Sequence, residues 1–375
     1  MPAKVILFVE GAARISGLPL DRPTALVPVL GRNLLDRVIA DLRAQGLDDI
    51  TVLSDCAFPV DAATNLVCRA EVWPAGEELL EKMAEESAEA LLLVRVDSYF
   101  ELDLDALIAA HTTSHHGVTQ VYTTEHATDI YMVDPQQPGE ALFLLRNQLR
   151  QAPAAATPYI LREDEYFIPL ADAAHFRQLA LDGLYRICRL VPAGTEVRPG
   201  VWHGQHVRVD RTARVVAPAF LGAYVHVYAG CVLTEGAVLE DHVAVDCGTV
   251  VQDSTVLPQT RVGLGLELVD VIAASNAVFH LRRNAVVEVE EPKLLSTRSA
   301  NAVVRTGRAA LSLLAFLPVQ IVMGLRGGHP PVQRVEVPAV SGVCSDFGTT
   351  LKHKGQAATN KMLPGLAVMR RYGNE

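Results

Sequence analysis

The sequence lacks features that are typical of several common protein classes, and each absence argues against one of those classes. Its 375 residues carry 33 Lys and Arg against 43 Asp and Glu, and this net charge of −10 argues against a nucleic-acid binder. The six cysteines form no CxxC pair, which is typical of reduced thiols in a cytosolic protein. The uncharged run at 309–325 is shorter than the roughly 20 residues of a straight membrane helix. No signal peptide is predicted, because residues 5–9 have the pattern of a strand.

Length and hydrophobic content allow two or three domains with a large core. The charge is unevenly distributed along the chain. Residues 301–375 hold nine Lys and Arg against three Asp and Glu, so this tail is +6 and the rest of the chain is −16. We therefore treat residues 300–375 as a separate basic tail.

Aliphatic residues recur at a spacing of six from Val209 to Leu257. They are Val209, Val215, Leu221, Val227, Leu233, Leu239, Val245, Val251 and Leu257. A helix repeats every 3.6 residues and a strand every two, so neither explains this period. It is typical of three short parallel strands per coil, and it resembles the left-handed parallel β-helix of hexapeptide-repeat proteins. We predict three coils within 200–295, with strands at 263–273 and 285–290 that cap or extend them; ordinary sandwich strands are the alternative.

Residues 1–190 have the pattern of an α/β domain. Strands are predicted at 5–9, 50–53 and 91–96, and helices at 34–42, 77–89 and 103–111. Strands that alternate with helices indicate a parallel, Rossmann-like sheet whose ligands bind at the carboxyl ends of the strands. The loop after Val9 and the acid Asp97 both lie at this edge.

Residues 4–110 resemble the sugar-phosphate nucleotidyltransferases, or NDP-sugar pyrophosphorylases. The first motif of that family aligns without a gap to residues 14–35, and its frame is matched by Arg14, Pro23, Pro28, Val29 and Gly31. The resemblance implies that Arg14 braces nucleotide phosphates and that Asp97 binds Mg²⁺. It also places Gly11 and Thr24 among the nucleotide-binding residues.

The motif departs from the family at positions that carry its chemistry. Glycines of the phosphate loop are replaced by Val9, Glu10 and Ala12, and the motif's lysine is replaced by Thr24. Glu10 puts a negative charge beside the phosphates, and Thr24 removes a cation that would stabilise developing charge. We therefore expect a catalytically degenerate domain that acts by binding or scaffolding, with an active, Mg²⁺-dependent sugar-1-phosphate nucleotidyltransferase as the alternative.

The tail weakly resembles the monotopic polyprenyl-phosphate sugar transferases. Pro318 interrupts the uncharged run 309–325, which arginines flank on both sides. This pattern indicates an apolar hairpin at the inner face of the membrane, and a buried helix at an oligomer interface is the alternative. The catalytic acid pair of that family falls on Lys361 and Met362, so its phosphoglycosyl transfer is lost.

A third hypothesis is an acyltransferase that uses a β-helix histidine as general base. The candidates are His203, His206, His226, His242 and His280. The pair His115 and His116 has no third ligand at metal spacing and is interpreted as a loop. Together the patterns predict a cytoplasmic, peripherally membrane-associated protein of nucleotide-sugar and surface-polysaccharide (exopolysaccharide) biosynthesis. Its expected partners are a nucleotide or nucleotide-sugar, and sister chains or a partner transferase.

Overall fold

The computed structural model of the chain describes residues 3–85, 90–114, 117–136, 139–147, 156–297 and 333–335. All described residues belong to one compact unit, Met1–Ala339. The histidine pair at 115–116 and the predicted hairpin at 309–325 lie outside the described residues.

The N-terminal region alternates strands and helices in the predicted order. Its elements are β1 (Ala3–Val9), β2 (Pro28–Val29), β3 (Arg32–Asn33), α1 (Leu34–Ala44), β4 (Ile50–Ser54), β5 (Asn65–Cys68), α2 (Val72–Glu85), β6 (Ala90–Arg95), β7 (Ser98–Glu101), α3 (Leu104–Thr113), β8 (Val118–Tyr122), β9 (Ala127–Val133), α4 (Gly139–Asn147), β10 (Thr157–Ile160), β11 (Tyr166–Pro169) and α5 (Ala173–Leu184). The strands predicted at 5–9, 50–53 and 91–96 are thus confirmed, and α2 begins five residues earlier than predicted.

Seven of these strands form one sheet in the order β10-β8-β9-β6-β1-β4-β5. β6, β1, β4 and β5 run parallel, and β9 is antiparallel to both β6 and β8. Strand β1 is buried on both faces, which explains its continuous apolar sequence. The carboxyl ends of β1, β4 and β6 therefore meet at one edge of the sheet, where β9 begins.

A tight hairpin joins β2 to β3. Leu30 and Gly31 have φ angles of 51° and 82°, so both central residues of the turn are left-handed, as a type I′ turn requires. A β-carbon on Gly31 would lie 2.9 Å from the ring of Phe220, so glycine is also demanded by close packing. The Pro-Val-x-Gly segment of the sequence motif is thus a structural turn.

The second region is built from short strands. They are β12 (Thr195–Arg198), β13 (Val201–His203), β14 (Arg208–Val209), β15 (Arg214–Val215), β16 (Ala219–Leu221), β17 (His226–Val227), β18 (Val232–Thr234), β19 (Ala237–Leu239), β20 (Ala244–Val245), β21 (Val250–Gln252), β22 (Thr255–Val256), β23 (Thr260–Val262), β24 (Glu267–Val269), β25 (Val271–Ala274), β26 (Ala277–His280), β27 (Ala285–Val289), β28 (Leu295–Thr297) and β29 (Gln333–Val335).

From β13 to β24 the chain visits three parallel sheets in rotation. Successive strands of the first sheet are β13, β16, β19, β22 and β25; those of the second are β14, β17, β20 and β23; and those of the third are β15, β18, β21 and β24. We call residues 195–297 the repeat region. Val227, Leu233 and Leu239 lie in its own core and are at most 3% exposed, as the period of six predicts.

The prediction for Leu257 is wrong. Leu221 pairs with Leu239, 18 residues later, but Leu239 pairs with Val256, 17 residues later. One residue is thus missing from the period after Val251, and Val256 takes the inward position. Leu257 instead packs in the core that the repeat region shares with the N-terminal region. The period then continues through Val262 and Leu268, so the repeat extends beyond Leu257.

The C-terminal end of the repeat region is covered by antiparallel strands. β26 pairs with β25 and β27, and β28 pairs with β23. The segments 263–273 and 285–290 thus extend and cap the repeat, as predicted. Phe279 on β26 reaches back to the N-terminal region, because a β-carbon on Gly17 would lie 2.6 Å from its ring.

Candidate functional site

The site predicted from sequence lies at the carboxyl edge of the seven-stranded sheet. Glu10 follows β1, Asp55 follows β4 and Asp97 follows β6. Asp129, near the start of β9, belongs to the same edge because β9 runs antiparallel to β6. We call these residues, with Gly11, Arg14, Trp73 and Arg95, the edge cluster.

Gly11 and Arg14 are both engaged by groups of the protein. The Gly11 N–H donates to Asp55 Oδ1 at 2.6 Å, so a carboxylate occupies the donor that sequence analysis assigned to a phosphate. The Arg14 guanidinium donates to the carbonyl oxygens of Gly11 and Ala13 and, at 3.0 Å, to Asp21 Oδ1. Arg14 therefore ties the loop to itself in this structure.

Glu10, which replaces a loop glycine of the family motif, is the centre of the edge cluster. Its Oε2 accepts a hydrogen bond from the Arg95 guanidinium, and its Oε1 accepts one from Trp73 Nε1 at 2.9 Å. The Trp73 ring stacks on the buried Phe8 ring, with centroids 5.1 Å apart, which fixes the direction of its N–H. Neither Trp73 nor Arg95 was predicted from the sequence, since both contact Glu10 from distant parts of the chain.

Asp97, the predicted magnesium ligand, is a weaker acid than an ordinary aspartate. Burial, followed by the negative charge of Asp129, raises its pKa to about 7. Arg95, whose Nε lies 3.8 Å from Asp97 Oδ2, opposes this shift. The carboxyl still reaches solvent, with 35% of the side chain exposed.

Thr24 lies away from the solvent, in the short 3₁₀ helix Thr24–Leu26, and is 2% exposed. Its backbone N–H donates to the Ala13 carbonyl oxygen at 3.0 Å, which anchors the far end of the loop. The threonine at the place of the family's lysine thus takes part in the packing of the loop.

The edge cluster as a whole is more acidic than basic. It holds the carboxyl groups of four residues and two guanidinium groups; the acids are Glu10, Asp55, Asp97 and Asp129, and the cations are Arg14 and Arg95. Among the described residues, no group of three or more His, Cys, Asp or Glu side chains is arranged to hold a metal ion. A magnesium ion at Asp97 would thus depend on ligand phosphates and water for most of its coordination.

A second buried polar cluster joins the two regions, and no sequence motif predicts it. Glu240, at the end of β19, accepts the N–H groups of Leu30 at 2.7 Å and Gly31 at 2.9 Å. Burial outweighs these bonds and raises the pKa of Glu240 to about 7. Beside the turn, Arg37 donates to the carbonyl oxygens of Val29, Leu30 and Val191. Glu240 thus fixes the β2–β3 hairpin onto the repeat region.

A further buried cation also links the two regions. Arg177 on α5 is 3% exposed and donates to the Gly236 carbonyl oxygen at 2.7 Å and to Asp253 Oδ1 at 2.9 Å. Removing Asp253, which is partly exposed, would leave the buried Arg177 guanidinium without its anionic partner. The two regions are therefore held together by polar bonds as well as by a shared apolar core.

The five histidines proposed for acyl transfer do not form one cluster. His242 stacks on Tyr224 and His206 lies tilted to the same ring, with ring centroids 4.9 Å apart in each pair, at the same turn of successive coils. His226 lies edge-on to Tyr228. His203 lies in β13 and His280 in β26, at opposite ends of the first sheet of the repeat region.

Comparison with known proteins matches the chain to no protein-family model and to no curated protein. Within the part of the chain that the structure describes, no helix is both long and apolar enough to cross a membrane.

Proposed function

We propose that the N-terminal region is a degenerate sugar-phosphate nucleotidyltransferase domain, followed by a left-handed parallel β-helix, and that the chain acts by binding rather than by catalysis. Its ligand is a nucleotide or nucleotide-sugar held weakly, and it assembles with sister chains or a partner transferase. The setting is nucleotide-sugar and surface-polysaccharide synthesis at the cytoplasmic face of the membrane.

The observation that carries this proposal is the engagement of Glu10 by Arg95 and Trp73. In an active nucleotidyltransferase, cations and backbone N–H groups at this edge would neutralise the phosphates. Here a carboxylate already neutralises Arg95, and Asp55 already occupies the Gly11 N–H. A triphosphate would have to displace both acids, in surroundings where carboxyl groups outnumber cations.

The three-sheet rotation of the repeat region supports the β-helix part of the proposal. Four successive visits to each of three parallel sheets, with aliphatic residues in the interior, are the arrangement that hexapeptide repeats produce. Proteins of this architecture bury a continuous core by stacking coils, so the region provides a rigid base for the hairpin that Glu240 holds.

The experiment compares Glu10→Gln with the unmodified full-length chain in a thermal-shift titration with Mg²⁺ and a panel of NTPs and NDP-sugars. Gln keeps an acceptor for Trp73 but removes the charge that engages Arg95. We expect nucleotide affinity to rise by about tenfold, because one like charge is removed and one cation is released.

The matched control is Glu78→Gln, an exposed glutamate of α2 that changes the net charge equally. It should leave nucleotide affinity unchanged. If Glu10→Gln binds nucleotides no better than the unmodified chain, Glu10 does not compete with phosphates and the degenerate-site proposal loses its support. Tight binding of nucleotide by the unmodified chain would favour the active enzyme.

A further inference from the structure

The N-terminal end of the repeat region is open. Among the described residues, β14 and β15 are the first strands of their sheets, and no described strand pairs with their outer edges. Val209 and Ala213 are therefore only partly buried, whereas Val227 and Leu233 in the next coil are nearly inaccessible. Repeat proteins normally cover such an end with a polar cap, because an exposed end shows apolar core to water.

A groove with a volume of about 400 Å³ lies at this open end. It is lined by Val197, Arg198, Val201, His203, Val209, Ala213, Arg214 and Val215. Five of these eight residues are apolar, two are arginines, and none is acidic. We call it the end groove; its volume is within the range of small-molecule sites.

The two arginines of the end groove differ in their partners. Arg198 donates to the Val215 carbonyl oxygen, a group on the uncovered side of β15, so it closes part of the open end. The backbone N–H of Arg214 donates to the Cys231 carbonyl oxygen at 2.8 Å, whereas its guanidinium makes no hydrogen bond or ion pair with the described part of the chain. The acid nearest in sequence, Asp210, is already bonded to the N–H and hydroxyl of Thr212. Arg214 is thus an uncompensated cation beside an apolar surface.

Neighbouring arginines in the sequence add to the positive charge of the end groove. Residues 198–214 contain four arginines and one acid, in a chain whose net charge is −10. Burial, and then the charge of Arg198, lowers the pKa of His203, which favours the neutral imidazole as a hydrogen-bonding group without a charge. The end groove therefore combines an apolar floor, a polar neutral group and an available guanidinium.

We propose that the end groove binds a small amphiphilic anion, namely a carboxylate or phosphate carried on a short apolar chain. The apolar chain would cover Val209, Ala213 and Val215, and the anionic group would pair with Arg214. Guanidinium groups bind both kinds of anion through paired hydrogen bonds. This site is separate from the edge cluster and does not depend on the proposed function.

The test is calorimetric titration of the full-length chain with hexyl phosphate and with hexanoate. Hexanol, inorganic phosphate and hexylammonium each lack one part of the required chemistry. We expect saturable one-to-one binding of at least one of the two amphiphilic anions. Each of the three control ligands should bind at least about tenfold more weakly, because hexanol and hexylammonium lack the anionic group that bonds to Arg214 and inorganic phosphate lacks the apolar chain.

Arg214→Gln keeps most of the side chain and removes its charge, so it should weaken binding of the anion by about tenfold. Arg211→Gln is the matched control, since Arg211 is exposed and does not line the groove; it should change affinity less than about twofold. Unaltered melting temperatures would show that both variants fold. The proposal is overturned if no amphiphilic anion binds saturably, if hexylammonium binds equally well, or if both variants behave alike; Arg214 then serves only to keep the edge strand from pairing with other chains.

Discussion

Replacing Glu240 by Gln tests the buried joint between the two regions. The Glu240 carboxyl group is 1% exposed, and its pKa rises from 4.5 to about 7 on folding. A shift of this size corresponds to about 3 kcal/mol of unfolding free energy. Solvent does not screen this contribution, because the carboxyl group is buried. Because the folded state holds the proton more tightly, the wild-type chain is most stable below the unfolded pKa. It loses this stability as the pH rises through about 7.

Glu240→Gln cannot ionise, so this loss should disappear. The amide presents one acceptor oxygen where Glu240 presents two, so one N–H of Leu30 or Gly31 loses its acceptor, at a cost of about 1–3 kcal/mol. We therefore expect the variant to be less stable than the wild type at pH 5 and equally or more stable at pH 8.

Urea denaturation of both chains at pH 5, 6, 7 and 8 measures the difference directly. The control is Glu267→Gln, an exposed glutamate of β24, which should change stability by less than about 0.5 kcal/mol at every pH. A difference between wild type and Glu240→Gln that stays constant from pH 5 to pH 8 would refute the reasoning, since Glu240 would then titrate alike in both states.

Three further outcomes are expected. Leu239→Asp places an unpaired charge in the core of the repeat region and should give insoluble or unfolded chain; soluble protein with an unchanged melting temperature would show that Leu239 does not face inward. Gly17→Ala should lower unfolding free energy by about 1–3 kcal/mol, because φ is 75° and the new methyl group meets the Phe279 ring; an unchanged urea midpoint would contradict this contact. The full-length chain should float with anionic vesicles, more weakly at high salt, whereas a chain truncated at 298 should not. If neither floats and the truncated chain loses its oligomeric state, the tail is an interface.

The repeat region was predictable because its inward positions are chemically uniform. Leu221, Leu233 and Leu239 face a narrow interior that accepts only aliphatic residues, so the period of coiling is visible in the sequence. The shift at Val256 was not predictable, because Val256 and Leu257 are both aliphatic and either continues the pattern. Only the pairing of Leu239 with Val256 distinguishes them.

The joint between the regions was not predictable from local pattern, since Glu240 contacts a turn about 210 residues earlier in the chain. A weak signal does exist. The positions equivalent to Glu240 in the two preceding coils are Gly222 and Gly204. A glutamate at a position where the other coils have glycine indicates a specific buried partner. The sequence does not identify that partner, because backbone N–H groups are present at every residue.

The edge cluster, too, could be predicted from the sequence only in part. The position of Glu10, Asp55 and Asp97 at one edge follows from the order of parallel strands and was predicted in part. The contacts of Glu10 with Trp73 and Arg95 depend on where α2 packs and how far a long side chain reaches. A charged residue in place of a loop glycine was the available signal that some cation lies nearby.

The most direct test of the central claim is pyrophosphate release by the unmodified full-length chain, supplied with Mg²⁺, sugar 1-phosphates and each NTP. With Arg95 engaged by Glu10 and the Gly11 N–H engaged by Asp55, we predict no release above the protein-free rate. Sustained release that Asp97→Ala abolishes, in a variant that still melts cooperatively, would contradict the account and establish an active nucleotidyltransferase.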